Sequence, residues 1–158
     1  MPRKARDVMR SPVVSIERDA SLVDAHRLFV EEEIHGAPVV DADGSVVGVI
    51  STLDVLRVVA EEHESGRSDA VYYRDLLPYS VPDWATEGED FQDRLSELRV
   101  SDAMSEAVIS VPPDATIAQV ARTLRENGIR RILVAEKERL LGIISSQDLL
   151  ALLEEAEV

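Results

Sequence analysis

The chain repeats itself, and that constrains its fold more than any other feature. Met9-Arg-Ser-Pro-Val-Val-Ser-Ile-Glu-Arg-Asp-Ala-Ser-Leu22 lies over Met104-Ser-Glu-Ala-Val-Ile-Ser-Val-Pro-Pro-Asp-Ala-Thr-Ile117 without a gap, at an offset of 95 residues. The register holds through Glu31 with Glu126, Ile34 with Ile129 and Val39 with Val134. It slips by one residue in a turn and resumes at an offset of 94, where Gly48-Val-Ile-Ser-Thr-Leu-Asp54 matches Gly142-Ile-Ile-Ser-Ser-Gln-Asp148. A repeat of this length requires one supersecondary unit built twice.

Each copy predicts the same order of elements. An extended segment (13–16, 108–111) leads to a helix whose start carries a capping-box pattern, Ser21-x-x-Asp24 or Thr116-x-x-Gln119. Ile117, Val120, Ala121 and Leu124 recur at helical spacing, and Leu22, Ala25 and Phe29 do so in the first copy, where His26 replaces Ala121. Two apolar strands follow, 37–40 and 46–50 against 132–135 and 140–144, with hairpin chemistry in Asp41-Ala-Asp-Gly44. A last helix begins near Ser51 or Ser145 and carries Val55, Leu56 and Val59, or Leu149, Leu150 and Leu153. The expected class is therefore α/β (α+β), two tandem β-α-β-β-α repeats. A unit of about 50 residues buries little surface alone, so the two are expected to pack sheet to sheet with pseudo-twofold symmetry. Such packing creates two equivalent clefts between them, a usual place for small molecules.

These residues resemble the cystathionine beta-synthase (CBS) domain pair, the Bateman module. The resemblance rests on Val8-Met9 and Ala103-Met104, on Asp19-Ala-Ser-Leu22 and Asp114-Ala-Thr-Ile117, on Ile34-His-Gly-Ala-Pro-Val-Val40 and Ile129-Arg-Arg-Ile-Leu-Val134, and on both Gly-x-x-Ser-x-x-Asp ends. It covers 1–60 as a first domain and 100–158 as a second, leaving 61–99 as an insert. The family implies a regulatory module that senses an adenosine-containing ligand: AMP, ADP, ATP or S-adenosylmethionine. It further implies that Asp54 and Asp148 bind ribose hydroxyls, and that the base is flanked by Ser11, Pro12 and Val13, or by Glu106, Ala107 and Val108. A carboxylate suits vicinal hydroxyls, and Ser51 and Ser145 stand at helix starts that favour a phosphate. The same Ser-x-x-Asp pattern is also a good N-cap, and one pair of side chains can serve both roles. Arg130 and Arg131 match positions where some members use basic residues on phosphate; a solvated strand edge explains them equally well. The first copy offers His35-Gly36 there, a weaker partner because neutral histidine donates once, so the two sites are expected to be unequal. The arginine pair puts AMP or ADP ahead of a ligand with a sulfonium-bearing tail.

Charge and composition narrow the partners. A net charge of −14 opposes nonspecific binding to nucleic acid or to an anionic membrane. Half of that charge lies in residues 58–100, with 4 basic and 11 acidic groups. No stretch approaches the roughly 18 uninterrupted apolar residues of a spanning helix, and no hydrophobic run follows the charged start, so a soluble cytoplasmic protein is expected. The chain has no cysteine; its three histidines, His26, His35 and His63, lack metal-ligand spacing, and no phosphate loop or nucleophile elbow occurs. No metal, required cofactor or catalytic activity is assigned. Five of the six aromatics, Tyr72, Tyr73, Tyr79, Trp84 and Phe91, fall in the insert, where Leu95 and Leu98 indicate a short helix with one apolar side. That segment either packs against the pair or makes a dimer or partner contact. The expected assembly is a homodimer acting on an effector protein. The competing function is a ligand-independent dimerisation or adaptor module working through the aromatic insert.

Overall fold

In a computed structural model describing residues 2–59 and 89–156, the repeat becomes two three-stranded sheets. The chain runs α1 (Ala5–Val8), β1 (Ile16–Glu17), α2 (Leu22–Glu32), β2 (Gly36–Val40), β3 (Val46–Ser51) and α3 (Thr52–Val59). After α4 (Glu89–Glu97) the order returns as α5 (Val100–Ala103), β4 (Ser110–Val111), α6 (Ile117–Asn127), β5 (Arg131–Glu136), β6 (Arg139–Ser145) and α7 (Ser146–Glu155). In each sheet the first strand pairs parallel to the second, the second antiparallel to the third. The parallel pairing is what a helical crossover permits, and the antiparallel pairing follows from a tight turn. The one-turn helices α1 and α5 have no counterpart among the sequence expectations.

Local chemistry sets the boundaries. Ser21 Oγ accepts the Asp24 N–H at 3.2 Å while the Asp24 carboxylate accepts the Ser21 N–H at 3.3 Å; Thr116 and Gln119 repeat the exchange at 3.1 and 2.8 Å. Both helices therefore start at the capping boxes. They end on a left-handed residue, Gly128 (φ 62°) in α6 and Glu33 (φ 55°) in α2. In the first hairpin the Asp41 carboxylate accepts the N–H groups of Asp43 and Ser45, and Gly44 takes φ 84°. The second hairpin closes through Lys137 and Glu138, both at positive φ, with Glu136 paired to Arg139. The shorter turn accounts for the change of offset from 95 to 94.

Two compact units result, and each draws on both copies. One comprises Val14–Val108, the other Met1–Val13 with Ile109–Val158. In the first, Leu22, Ala25 and Phe29 of α2 bury against Ala37, Val39 and Ile50 of the sheet, with Val55 of α3 and Val100 of α5. Helix α4 packs on α2 and α3, and its Leu95 is fully buried. The expected short helix thus forms, with Leu98 half-buried beside it. Tyr72, Tyr73, Tyr79, Trp84 and His63 lie outside the described residues, as does the side chain of Phe91.

In the second unit, α1 docks on the turn before α6, where the Ala5 N–H donates to the Ala115 carbonyl at 2.8 Å. Val120 and Leu124 of α6 are buried, as are Ile132 of β5 and Ile144 of β6. Ala121, expected on the apolar face, is exposed, whereas Val120 and Leu124 on the same helix are buried. On α7, Leu150 and Leu153 are 59% and 57% exposed, whereas Val55 of the matching α3 is buried.

Candidate functional site

Each strand-to-helix junction carries the paired Ser and Asp. In the unit of residues 14–108, Ser51 ends β3 and Asp54 sits in the first turn of α3. The Asp54 carboxylate accepts the Ser51 N–H at 2.8 Å, and the Asp54 N–H donates to Ser51 Oγ at 3.3 Å. Both residues are buried, at 0% and 4% exposure. In the other unit, Asp148 Oδ2 accepts the Ser145 N–H at 2.9 Å, and the Asp148 N–H donates to Ser145 Oγ at 3.2 Å. The capping reading of these residues is therefore realised at both junctions. At Asp148 it occupies one carboxylate oxygen and leaves the second for other chemistry.

The residue opposite each serine comes from the neighbouring strand. Arg131 of β5 is the cross-strand partner of Ser145, and the Arg130 carbonyl accepts the Ser146 N–H at 2.8 Å. Gly36 of β2 faces Ser51, and the His35 carbonyl accepts the Thr52 N–H at 2.9 Å. Arg130 and His35 thus hold equivalent stations one residue before the paired strand. Arg130 is exposed, His35 and Arg131 half-buried.

The opening segments decide which of the candidate residues lie in the same unit. Arg10 and Ile143 exchange backbone hydrogen bonds of 2.9 and 3.0 Å, two residues before Ser145. Ser105 and Val49 exchange two of 2.8 Å, two residues before Ser51. Ser11, Pro12 and Val13 therefore fold with Ser145, Asp148, Arg130 and Arg131. Ala107 and Val108, after Glu106, fold with Ser51, Asp54 and His35. The opening segment of each copy serves the junction of the other. Close approach at the bridges is possible because glycine occupies both strands: a Cβ on Gly48 would lie 2.5 Å from the Ser105 carbonyl oxygen, and one on Gly142 2.6 Å from Met9 Sδ.

Sequence reasoning passed over Arg10. Its Nε donates to Asp148 Oδ1 at 2.9 Å, and its Nη2 lies 2.8 Å from the same oxygen. The repeat held one signal, since Arg10 aligns with the uncharged Ser105. Among the described residues no group of three or more His, Asp or Glu side chains is placed to hold a metal ion, and no helix is long and apolar enough to cross a membrane.

Comparison with known proteins matches this arrangement to a family. The model of the CBS domain matches residues 5–61 and again residues 100–155. The chain belongs to the CBS domain family. The protein MJ1426 of Methanocaldococcus jannaschii is 34% identical over 149 residues, covering 92% of this chain and 88% of that protein. CBSX2, a chloroplastic CBS domain-containing protein of Arabidopsis thaliana, is 31% identical over 134 residues, 82% of this chain but 54% of CBSX2. The crystal structure of CBSX2 in complex with AMP aligns over 99% of both chains at 22% identity, with a TM-score of 0.67. The CBS domain pair of protein MJ0100, solved with 5′-methylthioadenosine and S-adenosyl-L-methionine, aligns over 99% of both at 18% identity, with a TM-score of 0.64. At these identities the two structures speak to the fold: this chain is a CBS domain pair with a mixed α+β architecture.

Proposed function

We propose that this CBS pair is a regulatory, non-catalytic module that binds an adenosine-containing nucleotide, AMP or ADP before ATP or S-adenosylmethionine. One observation carries the reading: a Ser-x-x-Asp junction occurs twice, each time beside an opening segment brought in from the other copy. CBSX2 was solved with AMP, and MJ0100 with 5′-methylthioadenosine and S-adenosyl-L-methionine, so adenosine ligands do occur on this fold.

In this reading Asp148 accepts the ribose hydroxyls, Ser145 and the start of α7 receive phosphate with Arg130 and Arg131, and Ser11, Pro12 and Val13 flank the base. Asp54, Ser51, His35, Ala107 and Val108 form the second site, weaker because a single histidine stands where the first has two arginines. Occupancy is relayed through a homodimer to an effector protein in the cytoplasm. Calorimetry and thermal shift with AMP, ADP, ATP and S-adenosylmethionine test this. A ligand at 100 times its Kd should stabilise the protein by about 2.7 kcal/mol. No stabilisation by any of them, with Asp148→Ala behaving as wild type, would sink the reading.

A further inference from the structure

The carboxylate assigned to ribose is already held at both oxygens. Oδ2 of Asp148 takes the Ser145 N–H, and Oδ1 takes the guanidinium of Arg10 through Nε at 2.9 Å and Nη2 at 2.8 Å. The Asp148 side chain is 9% exposed while that of Arg10 is 77% exposed, so the guanidinium lies on the solvent side of an otherwise covered carboxylate. Arg10 is anchored through its backbone by the two bonds to Ile143, which persist if the side chain swings away. The equivalent residue in the other unit is Ser105, which carries no charge and whose hydroxyl accepts the Ala107 N–H at 3.2 Å.

We propose that Arg10 is a latch on Asp148 that makes this site select phosphorylated adenosine ligands over neutral or cationic ones. The proposal rests on reading Asp148 as the ribose acceptor. A ribose that takes Oδ1 must displace the guanidinium, which costs a charge-assisted hydrogen bond. A ligand bearing a phosphate gives the released arginine a new anion. The start of α7, where that phosphate would sit, is one carboxylate away: Asp148 spans from Arg10 at Oδ1 to the Ser145 N–H at Oδ2. Adenosine and 5′-methylthioadenosine offer no such anion; S-adenosylmethionine puts a sulfonium where the phosphate would be, with its carboxylate only at the far end of the tail. Specificity then comes from a penalty that only the phosphorylated ligand recovers. In the matching site the aligned residue is Ser105, whose uncharged hydroxyl cannot form such an ion pair.

The test compares Kd for AMP and for adenosine in the full chain by calorimetry, using wild type, Arg10→Ala and Arg10→Lys. The isotherm component that disappears in Asp148→Ala identifies the site. Arg10→Ala should tighten adenosine and weaken AMP, lowering the preference for AMP about tenfold, while Arg10→Lys keeps the charge and so most of the preference. A preference within about twofold of wild type in Arg10→Ala, with both ligands still bound or both weakened alike, overturns the latch and leaves the adenosine reading intact. If no adenosine ligand binds wild type or any variant, both the latch and the reading it rests on fall.

Discussion

Replacing Gly48 by alanine should damage the fold more than replacing its repeat partner Gly142, and the difference is calculable from what each new methyl would meet. At Gly48 the obstacle is backbone: the added Cβ would stand 2.5 Å from the Ser105 carbonyl oxygen, with Met104 Sδ at 3.0 Å. That is roughly 1 Å inside the 3.5–4.0 Å optimum for non-bonded atoms. Relief requires Ser105 to retreat from Val49, lengthening the two 2.8 Å hydrogen bonds between them. Overpacking of about 1–3 kcal/mol, added to partial loss of two bonds of about 1 kcal/mol each, predicts a cost of about 2–4 kcal/mol. At Gly142 the obstacles are Met9 side-chain atoms, Sδ at 2.6 Å, Cγ at 2.8 Å and Cβ at 2.9 Å. A thioether can turn aside, and the cost should be about 1–2 kcal/mol.

Second-site variants separate the two mechanisms. Met9→Ala removes two of the three overlaps at Gly142, so in the Gly142→Ala background it should recover about 1 kcal/mol relative to additivity. Met104→Ala leaves the Ser105 oxygen in place and should recover almost nothing in Gly48→Ala. Urea denaturation of the four single and two double variants reads these energies. A Gly48→Ala protein no less stable than Gly142→Ala, or one rescued equally well by its methionine truncation, would show that the bridge at Ser105 is not what the glycine accommodates. Because Ala107 and Val108 follow that bridge, Gly48→Ala should also, on the proposed reading of the two junctions, weaken ligand binding at the one carrying Asp54 and spare the one carrying Asp148.

Leu95→Ala should cost about 2–5 kcal/mol by chemical denaturation, since Leu95 is fully buried among the helices of the first unit; a change under about 0.5 kcal/mol would mean that α4 is not part of that core. Glu33→Gly should raise stability by about 0.5–1 kcal/mol, because Glu33 holds φ 55° where the second copy has Gly128, and a drop in thermal midpoint would contradict this. Thr116→Ala removes the hydroxyl that caps α6 and should cost about 1 kcal/mol, with no cost expected from Thr116→Ser. Asp148→Asn keeps the shape of the side chain but discharges the Arg10 pair, so it should lose about 0.5–2 kcal/mol and become less sensitive to added salt.

How much was legible depended on how local the determinant is. Capping boxes, hairpin turns and the apolar spacing of Leu22, Ala25 and Phe29 are decided within a few residues, and all three appear where the residues predict them. The Ser-Asp pairs were equally visible, because a junction that caps a helix has to be written in adjacent positions. Ala121 was misplaced since spacing alone does not say how wide the buried face is. The partner of each opening segment was not visible at all. Symmetry allows Ser11 to serve either junction, and only the hydrogen-bonded bridge between Arg10 and Ile143 chooses.

By itself, the sequence determined the unit, its duplication, its helix starts and the carboxylates that mark each junction, because repetition and short-range spacing carry all of these. The tertiary structure decided that the opening segments are exchanged between copies, that Leu95 from the intervening segment completes one core, and that Arg10 covers Asp148 across 138 residues of chain. Those contacts depend on which surfaces meet after the sheets form, and no periodicity in the chain encodes a meeting between residues so far apart.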